Sequence, residues 1–260
     1  MDSIMENLLV KSKKFKSLSE MFGIEQGVSL IAGPCSIESY EQMEVVAQNL
    51  VKNKVRFIRG GAYKPRTSPY DFQGLGLDGL KILDDIRKKY NLLAVSEIMD
   101  PRDIEDGVKY TDIIQIGSRN MQNYSLLKEV GKTQHPIMLK RGMMSTIEEF
   151  LLAAEYIVSE GNSNIIMCER GIRTFETHTR NTLDLTCIAV IKQQTSLPII
   201  VDLSHALGRT DLIEPIFRYI VNIDVDGIML EVHPKPSLSI SDSNQTISCD
   251  EFSKLIQVLR

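Results

Sequence analysis

The chain has 260 residues, 43% apolar, 25% charged and 6% aromatic, a balance that excludes collagen-like, disordered and disulfide-scaffold classes. Thirty basic against 34 acidic residues leave a net charge of −4, which argues against a nucleic-acid binder, so any anionic ligand must be held by a local basic cluster. Unbroken apolar runs are only a few residues long, so no membrane span is expected. The N-terminal MDSIMENLLVKSKKFK lacks the apolar core of a signal peptide. Cys35, Cys168, Cys187 and Cys249 show no paired spacing, which points to reduced thiols and a cytoplasmic location.

Residues 1–28 read as a short N-terminal extension with a solvated lysine face at Lys11, Lys13, Lys14 and Lys16. It is too short to bury a core of its own, so no regulatory domain is expected. β-rich apolar runs follow: SLIA from Ser29, VRFIRGG from Val55, LLAVSEI from Leu92, DIIQIG from Asp112 and PIMLK from Pro136. NIIMCERG from Asn164, PIIVDLSH from Pro198 and DGIMLEVH from Asp226 complete the set. Their Ile, Val and Leu content suits strands buried on both faces of a parallel sheet.

Helical patterns fill the gaps. Ser145 and Glu148 have capping-box spacing, Ile147, Phe150, Leu151, Ala154, Ile157 and Val158 form one apolar face, and Gly161 closes that helix. A second clear pattern runs from Thr210, with Leu212, Ile213, Ile216, Phe217, Ile220 and Val221 facing one way. Eight strand–helix units predict an α/β fold, a (β/α)8 TIM barrel over 29–260. A doubly wound sheet is the alternative, but the first strand lacks the glycine-rich dinucleotide fingerprint.

Active sites of such barrels lie at the C-terminal strand ends. Those ends carry Cys35, Arg59, Glu97, Ser118-Arg119, Lys140-Arg141, Glu169-Arg170, Asp202 with His205, and Glu231 with His233, while Lys64 and Arg66 follow the second strand. A single charge at a strand end is usually just an exit to solvent. A polar, ionisable or thiol group at every strand end implies one shared mouth. Arg59, Lys64, Arg66, Arg119, Lys140 and Arg170 form a cationic subset that calls for phosphate or carboxylate groups, more than one of them. Cys35, His205, Glu231 and, in the loop beyond strand eight, Asp242 offer a thiolate, an imidazole and two carboxylates to a divalent metal. Cys168 and Cys187 read as packed residues, and Cys249 opens the last helix.

The strings IAGPCSIES, FIRGGAYKPRTSPYDFQGLG, IGSRNMQNYSLL, LKRGM, CERGIRTFE, VDLSHALGR and EVHP resemble 3-deoxy-D-arabino-heptulosonate 7-phosphate (DAHP) synthases. The resemblance is to the microbial subgroup related to 3-deoxy-D-manno-octulosonate 8-phosphate synthase, and it runs from residue 29 to the C-terminus. It implies condensation of phosphoenolpyruvate with erythrose 4-phosphate, the first step of the shikimate pathway, by a homotetramer. Carried onto matching positions, it implies that Cys35, His205, Glu231 and Asp242 bind a divalent metal (Mn, Zn, Fe or Co). Arg119, Lys140 and Arg170, helped by Arg59, would hold phosphoenolpyruvate. Arg66 and Thr67 would take the phosphate of erythrose 4-phosphate, Lys64 would sit near its aldehyde and Asp202 near a substrate hydroxyl. Glu97 and Lys140 are candidates to position or deprotonate the attacking water.

Two departures bear on loop geometry. Leu203 stands where relatives usually have proline, and Ser243 where they have glycine. The nearest rival is the octulosonate enzyme, which uses arabinose 5-phosphate. Its usual Ala-Asn-Arg-Ser-Ser after the matching lysine is here Pro65-Arg66-Thr67-Ser68. A Schiff-base aldolase built on Lys140 and a non-catalytic phospholigand-binding barrel are the other readings.

Overall fold

The computed structural model describes residues 7–259. Residues 1–6 of the expected extension, where the signal-peptide reading begins, and residue 260 lie outside the described residues. Two short helices, α1 (Leu9–Ser12) and α2 (Leu18–Phe22), precede the barrel. Its strands are β1 (Ser29–Gly33), β2 (Phe57–Arg59), β3 (Leu93–Glu97), β4 (Ile113–Ile116), β5 (Ile137–Lys140), β6 (Ile165–Glu169), β7 (Ile199–Asp202) and β8 (Gly227–His233). All pair in parallel in chain order, and β1 pairs with β8, with Leu30 opposite Ile228, to close the ring. The outer helices are α3 (Tyr40–Lys52), α4 (Leu77–Tyr90), α5 (Ile104–Tyr110), α6 (Tyr124–Gly131), α7 (Ile147–Ser159), α8 (Leu185–Gln194), the short α9 (Leu203–Leu207) and α10 (Ile213–Ile220). A two-residue strand, β9 (Ile247–Ser248), then pairs with the end of β8, and α11 (Cys249–Leu255) follows. The predicted (β/α)8 barrel is the observed fold.

Each strand alternates its side chains between two cores. Ile31, Phe57, Val95, Ile113, Met138, Ile166, Cys168, Ile200 and Met229 fill the barrel interior. Ile58, Ala94, Ile114, Leu139, Val201 and Leu230 pack outward against the helices. Leu18, Met21, Phe22 and Ile24 join the interior cluster from the N-terminal side, and the Phe22 ring meets Phe57 edge-on at 5.3 Å. The residues before β1 therefore plug the lower end of the barrel.

Local expectations held with small shifts. The helix after β5 is capped by Thr146 and Glu149 rather than Ser145 and Glu148: Thr146 Oγ1 accepts from Glu149 N (3.1 Å), and Glu149 Oε2 accepts from Thr146 N (2.8 Å). Adjacent hydroxyls and adjacent glutamates let the motif fit either register, and Ser145 is used elsewhere, its carbonyl accepting from Arg141 Nε. The helix ends at Ser159 with Glu160 as cap, one residue before Gly161. The Thr210 segment opens as a 3-10 turn before α10, with Ile213, Phe217 and Ile220 buried. No helix of the described residues is long and apolar enough to cross a membrane.

Candidate active site

Because side chains alternate, the residue two positions beyond the apolar interior layer points back into the barrel at its open end. From Phe57, Val95, Ile113, Met138, Cys168, Ile200 and Met229 this leads to Arg59, Glu97, Gln115, Lys140, Arg170, Asp202 and Glu231. Arg59, Glu97, Gln115, Lys140 and Arg170 line a cavity of about 250 Å³ at the barrel mouth. The same alternation sorts the two charged pairs that end β5 and β6. Lys140 and Arg170 face the cavity, whereas Arg141 and Glu169 pack behind it. There Arg141 Nη1 donates to Glu169 Oε2 (3.0 Å) and to Asp184 Oδ2 (2.8 Å). Glu169 Oε1 also accepts from Gly171 N (2.7 Å), which anchors the start of the long connection to α8.

Lys64, Arg66 and Thr67 reach the cavity from the β2–α4 loop, and Ser118 and Arg119 from the turn after β4. The cavity thus gathers every member of the cationic subset, and Arg180 besides. Its acidic side chains are Asp71, Glu97 and Asp242. Part of the positive charge is not matched by an acid: Arg66 Nε donates to Phe72 O (3.0 Å) and Arg170 Nη1 to Gly171 O (3.3 Å). Burial lowers the Arg170 pKa from its ordinary value, with Asp202 opposing, as expected of a guanidinium that an anion would complete.

Beside this cavity, Cys35, His205, Glu231 and Asp242 converge, with one ligand atom from each lying within 4.8 Å of the others. His205 Nε2 is 3.3 Å from Glu231 Oε1 and 3.9 Å from Asp242 Oδ2, and Cys35 Sγ is 3.0 Å from Asp242 Oδ2. Burial and the neighbouring Glu231 push the Cys35 thiol up to about 12. Burial would raise the two carboxyls, but His205 beside both, Arg59 beside Glu231, and Cys35 and Arg180 beside Asp242 hold them below the usual range. A sulfur, an imidazole nitrogen and two ionised carboxylates converging this closely fit a divalent transition metal.

The surroundings fix these donors. Arg59 Nη1 donates to Glu231 Oε1 (2.8 Å), and Gln245 Nε2 to Glu231 Oε2 (2.6 Å). Lys64 Nζ lies 2.9 Å from Cys35 Sγ and 3.1 Å from its carbonyl. Asp202 is fully buried and does not line the cavity. It caps α9 by accepting from His205 N (3.1 Å), and its Oδ2 meets both His205 Nδ1 (2.8 Å) and Lys140 Nζ. Asp202 thereby joins Lys140 to His205. Leu203 starts α9 with its side chain buried in the outer core, so the Asp202 cap presents His205 where relatives use proline. Asp242 adopts φ 56°, and Ser243 opens a 3-10 turn after it.

Three residues were not singled out from the sequence. Gln115 donates to Glu97 Oε2 (3.3 Å), and its inward register on β4 was the available signal. Arg180 donates to Asp242 Oδ1 (3.1 Å) and Gln245 Oε1 (2.8 Å) from an aperiodic loop that offers no such signal. Gln245 bridges Arg180 and Glu231 from the loop beyond β8.

The DAHP synthetase I family model matches residues 8–260. A phospho-2-dehydro-3-deoxyheptonate aldolase from Thermotoga maritima is 49% identical over 232 residues, covering 89% of this chain and 69% of the relative. A crystal structure of the DAHP synthase from Thermotoga maritima matches with a TM-score of 0.92 and 44% identity, over 97% of this chain and 75% of that one. A 2-dehydro-3-deoxyphosphooctonate aldolase from Syntrophotalea carbinolica is more distant, at 28% identity over 91% of each chain. With the family model spanning the barrel and the mouth residues in place at successive strand ends, the chain belongs to the DAHP synthetase I family.

Proposed function

We propose that this enzyme condenses phosphoenolpyruvate with erythrose 4-phosphate and water to give DAHP and inorganic phosphate. The carrying observation is the cationic cavity at the barrel mouth, bordered by the Cys35–His205–Glu231–Asp242 cluster. Family membership supports the same reaction.

Arg119, Lys140 and Arg170, with Arg59 behind them, hold the phosphate and carboxylate of phosphoenolpyruvate. Arg66 and Thr67 hold the phosphate of the aldose. Two polyanions that would repel in water are thereby brought together, and this positioning is a large share of catalysis. Cys35, His205, Glu231 and Asp242 would hold the divalent metal, which when bound supplies Lewis acidity toward the aldehyde. Carbon 3 of phosphoenolpyruvate bonds to the aldehyde carbon, and Lys64 delivers a proton to the aldehyde oxygen. Water adds at carbon 2, positioned by Glu97, which takes its proton. The hemiketal hydroxyl proton then passes to the departing phosphate as the carbon–oxygen bond to it breaks, leaving the ketone and inorganic phosphate. Asp202 holds Lys140 and His205 in place during these steps. Catalysis belongs to the 29–260 barrel. The free state of the described cysteines supports a reducing, cytoplasmic setting, and the family resemblance supports a homotetramer.

The test is phosphate release from phosphoenolpyruvate with a panel of aldose phosphates, with and without chelator. Erythrose 4-phosphate is expected to give the highest kcat/KM, and chelator to stop turnover. Equal or greater kcat/KM with arabinose 5-phosphate would overturn the reading in favour of the octulosonate reaction. No turnover with any aldose would leave a phospholigand-binding barrel.

A further inference from the structure

Glu97 ends β3 and is 9% exposed, and its Oε1 has no hydrogen-bond partner among the described residues. A buried carboxylate oxygen left unsatisfied is costly unless something else completes it, and here the side chain borders the cavity. Among the described residues, its one hydrogen bond is the long one from Gln115 Nε2 to Oε2, at 3.3 Å. What keeps it in place is therefore mainly the shape of its surroundings.

Gly117, just after β4, supplies that shape. A Cβ built on Gly117 would lie 2.0 Å from Glu97 Oε1 and 2.7 Å from its Cδ. The backbone at Gly117 has φ −69° and ψ 161°, a conformation open to any residue, so no turn requires glycine there. The three nearest atoms to that Cβ all belong to the Glu97 carboxylate, the third at 3.2 Å, so no backbone approach closer than that requires glycine.

We propose that Gly117 is a positioning residue whose missing side chain leaves room for the Glu97 carboxylate to pack with Oε1 against residue 117, which holds the side chain at the cavity where the attacking water is taken up. The proposal rests on the reading of Glu97 given above. The closest atoms that an alanine at 117 meets are the far end of a flexible side chain, so the barrel tolerates it while the carboxylate is displaced. A shift of this size at a group that positions a reactant is costly to turnover.

The test is a cycle of the wild type, Gly117→Ala, Glu97→Ala and the double variant, each metal-loaded, with kcat and both KM values measured. Gly117→Ala is expected to lower kcat roughly 10- to 100-fold with both KM values changed less than about threefold. In the Glu97→Ala background, the same change is expected to alter kcat by less than about twofold. A Glu97→Asp background withdraws the carboxylate by one methylene, and there too Gly117→Ala should cost less than in the wild type. If Gly117→Ala is harmless in the wild type, the glycine positions nothing, and if it is equally harmful in all three backgrounds, Gly117 serves substrate access or the following turn; in either case the proposal fails alone. If Glu97→Ala keeps the wild-type kcat, the reading of Glu97 fails and takes the proposal with it.

Discussion

His205 Nδ1 lies 2.8 Å from Asp202 Oδ2, which turns the Nε2 face of the ring toward Glu231 and Asp242. The same carboxylate oxygen binds Lys140 Nζ, so one buried acid ties the candidate metal cluster to the cationic cavity. Burial alone would raise the Asp202 carboxyl, but His205 and Lys140 hold it well below the usual range. Carboxylates behind a ligating histidine tune metal affinity. Asp202→Asn is therefore expected to weaken divalent-metal binding about 10- to 100-fold, read by competition with a chelating dye. Unchanged affinity would mean that Asp202 serves only as the cap of α9.

Cys35 lies two residues beyond β1, so its loss removes a donor without opening the barrel interior. Cys35→Ala should abolish most activity and lower bound metal by elemental analysis while cooperative unfolding persists. Chelator should inactivate the wild type reversibly, and several divalent metals should restore turnover to different degrees. A verified metal-free wild type that still turns over at full rate would reduce the four residues to structural neighbours.

Arg66 sits on the β2–α4 loop, apart from the guanidinium and ammonium groups that end β2, β5 and β6. Losing a charge-assisted contact to one phosphate should be selective. Arg66→Ala is expected to raise the KM for erythrose 4-phosphate about tenfold or more and leave that for phosphoenolpyruvate nearly unchanged. An equal rise in both would assign Arg66 to general electrostatics instead.

His135 gives a stability test far from the mouth. Its Nε2 is 3.3 Å from Thr111 Oγ1, and burial, with Arg87 adding and Asp112 opposing, lowers its pKa from 6.5. The unfolded chain therefore binds this proton at a higher pH than the folded one. Stability is full above the unfolded value and declines as pH falls through it toward the folded value. His135→Gln should flatten the slope of unfolding free energy against pH as the pH falls below the unfolded value of 6.5, measured by urea titrations. An unaltered slope would show that His135 protonates alike in both states.

Eight buried parallel strands announce themselves because each must be apolar on both faces, and the polar residue ending each run marks where the barrel opens. That made the fold and the mouth legible, along with Cys35, His205, Glu231 and Asp242 as a donor set. Period-two alternation also held the answer to which of Lys140 and Arg141 faces the cavity, once the inward register of β5 was known. Arg180 and Gln245 were not legible, since they stand in loops without periodicity and matter only for where those loops fold back.

The sequence by itself determined the strand order, the chemistry gathered at one end and the family, because hydrophobic pattern and residue type are local properties of the chain. Tertiary structure alone decided the rest. It joined Lys140 to His205 through Asp202, and it set Gly117 against the Glu97 carboxylate. Those relations join residues on different strands. Their distances come from ring closure and strand register, which no stretch of sequence carries.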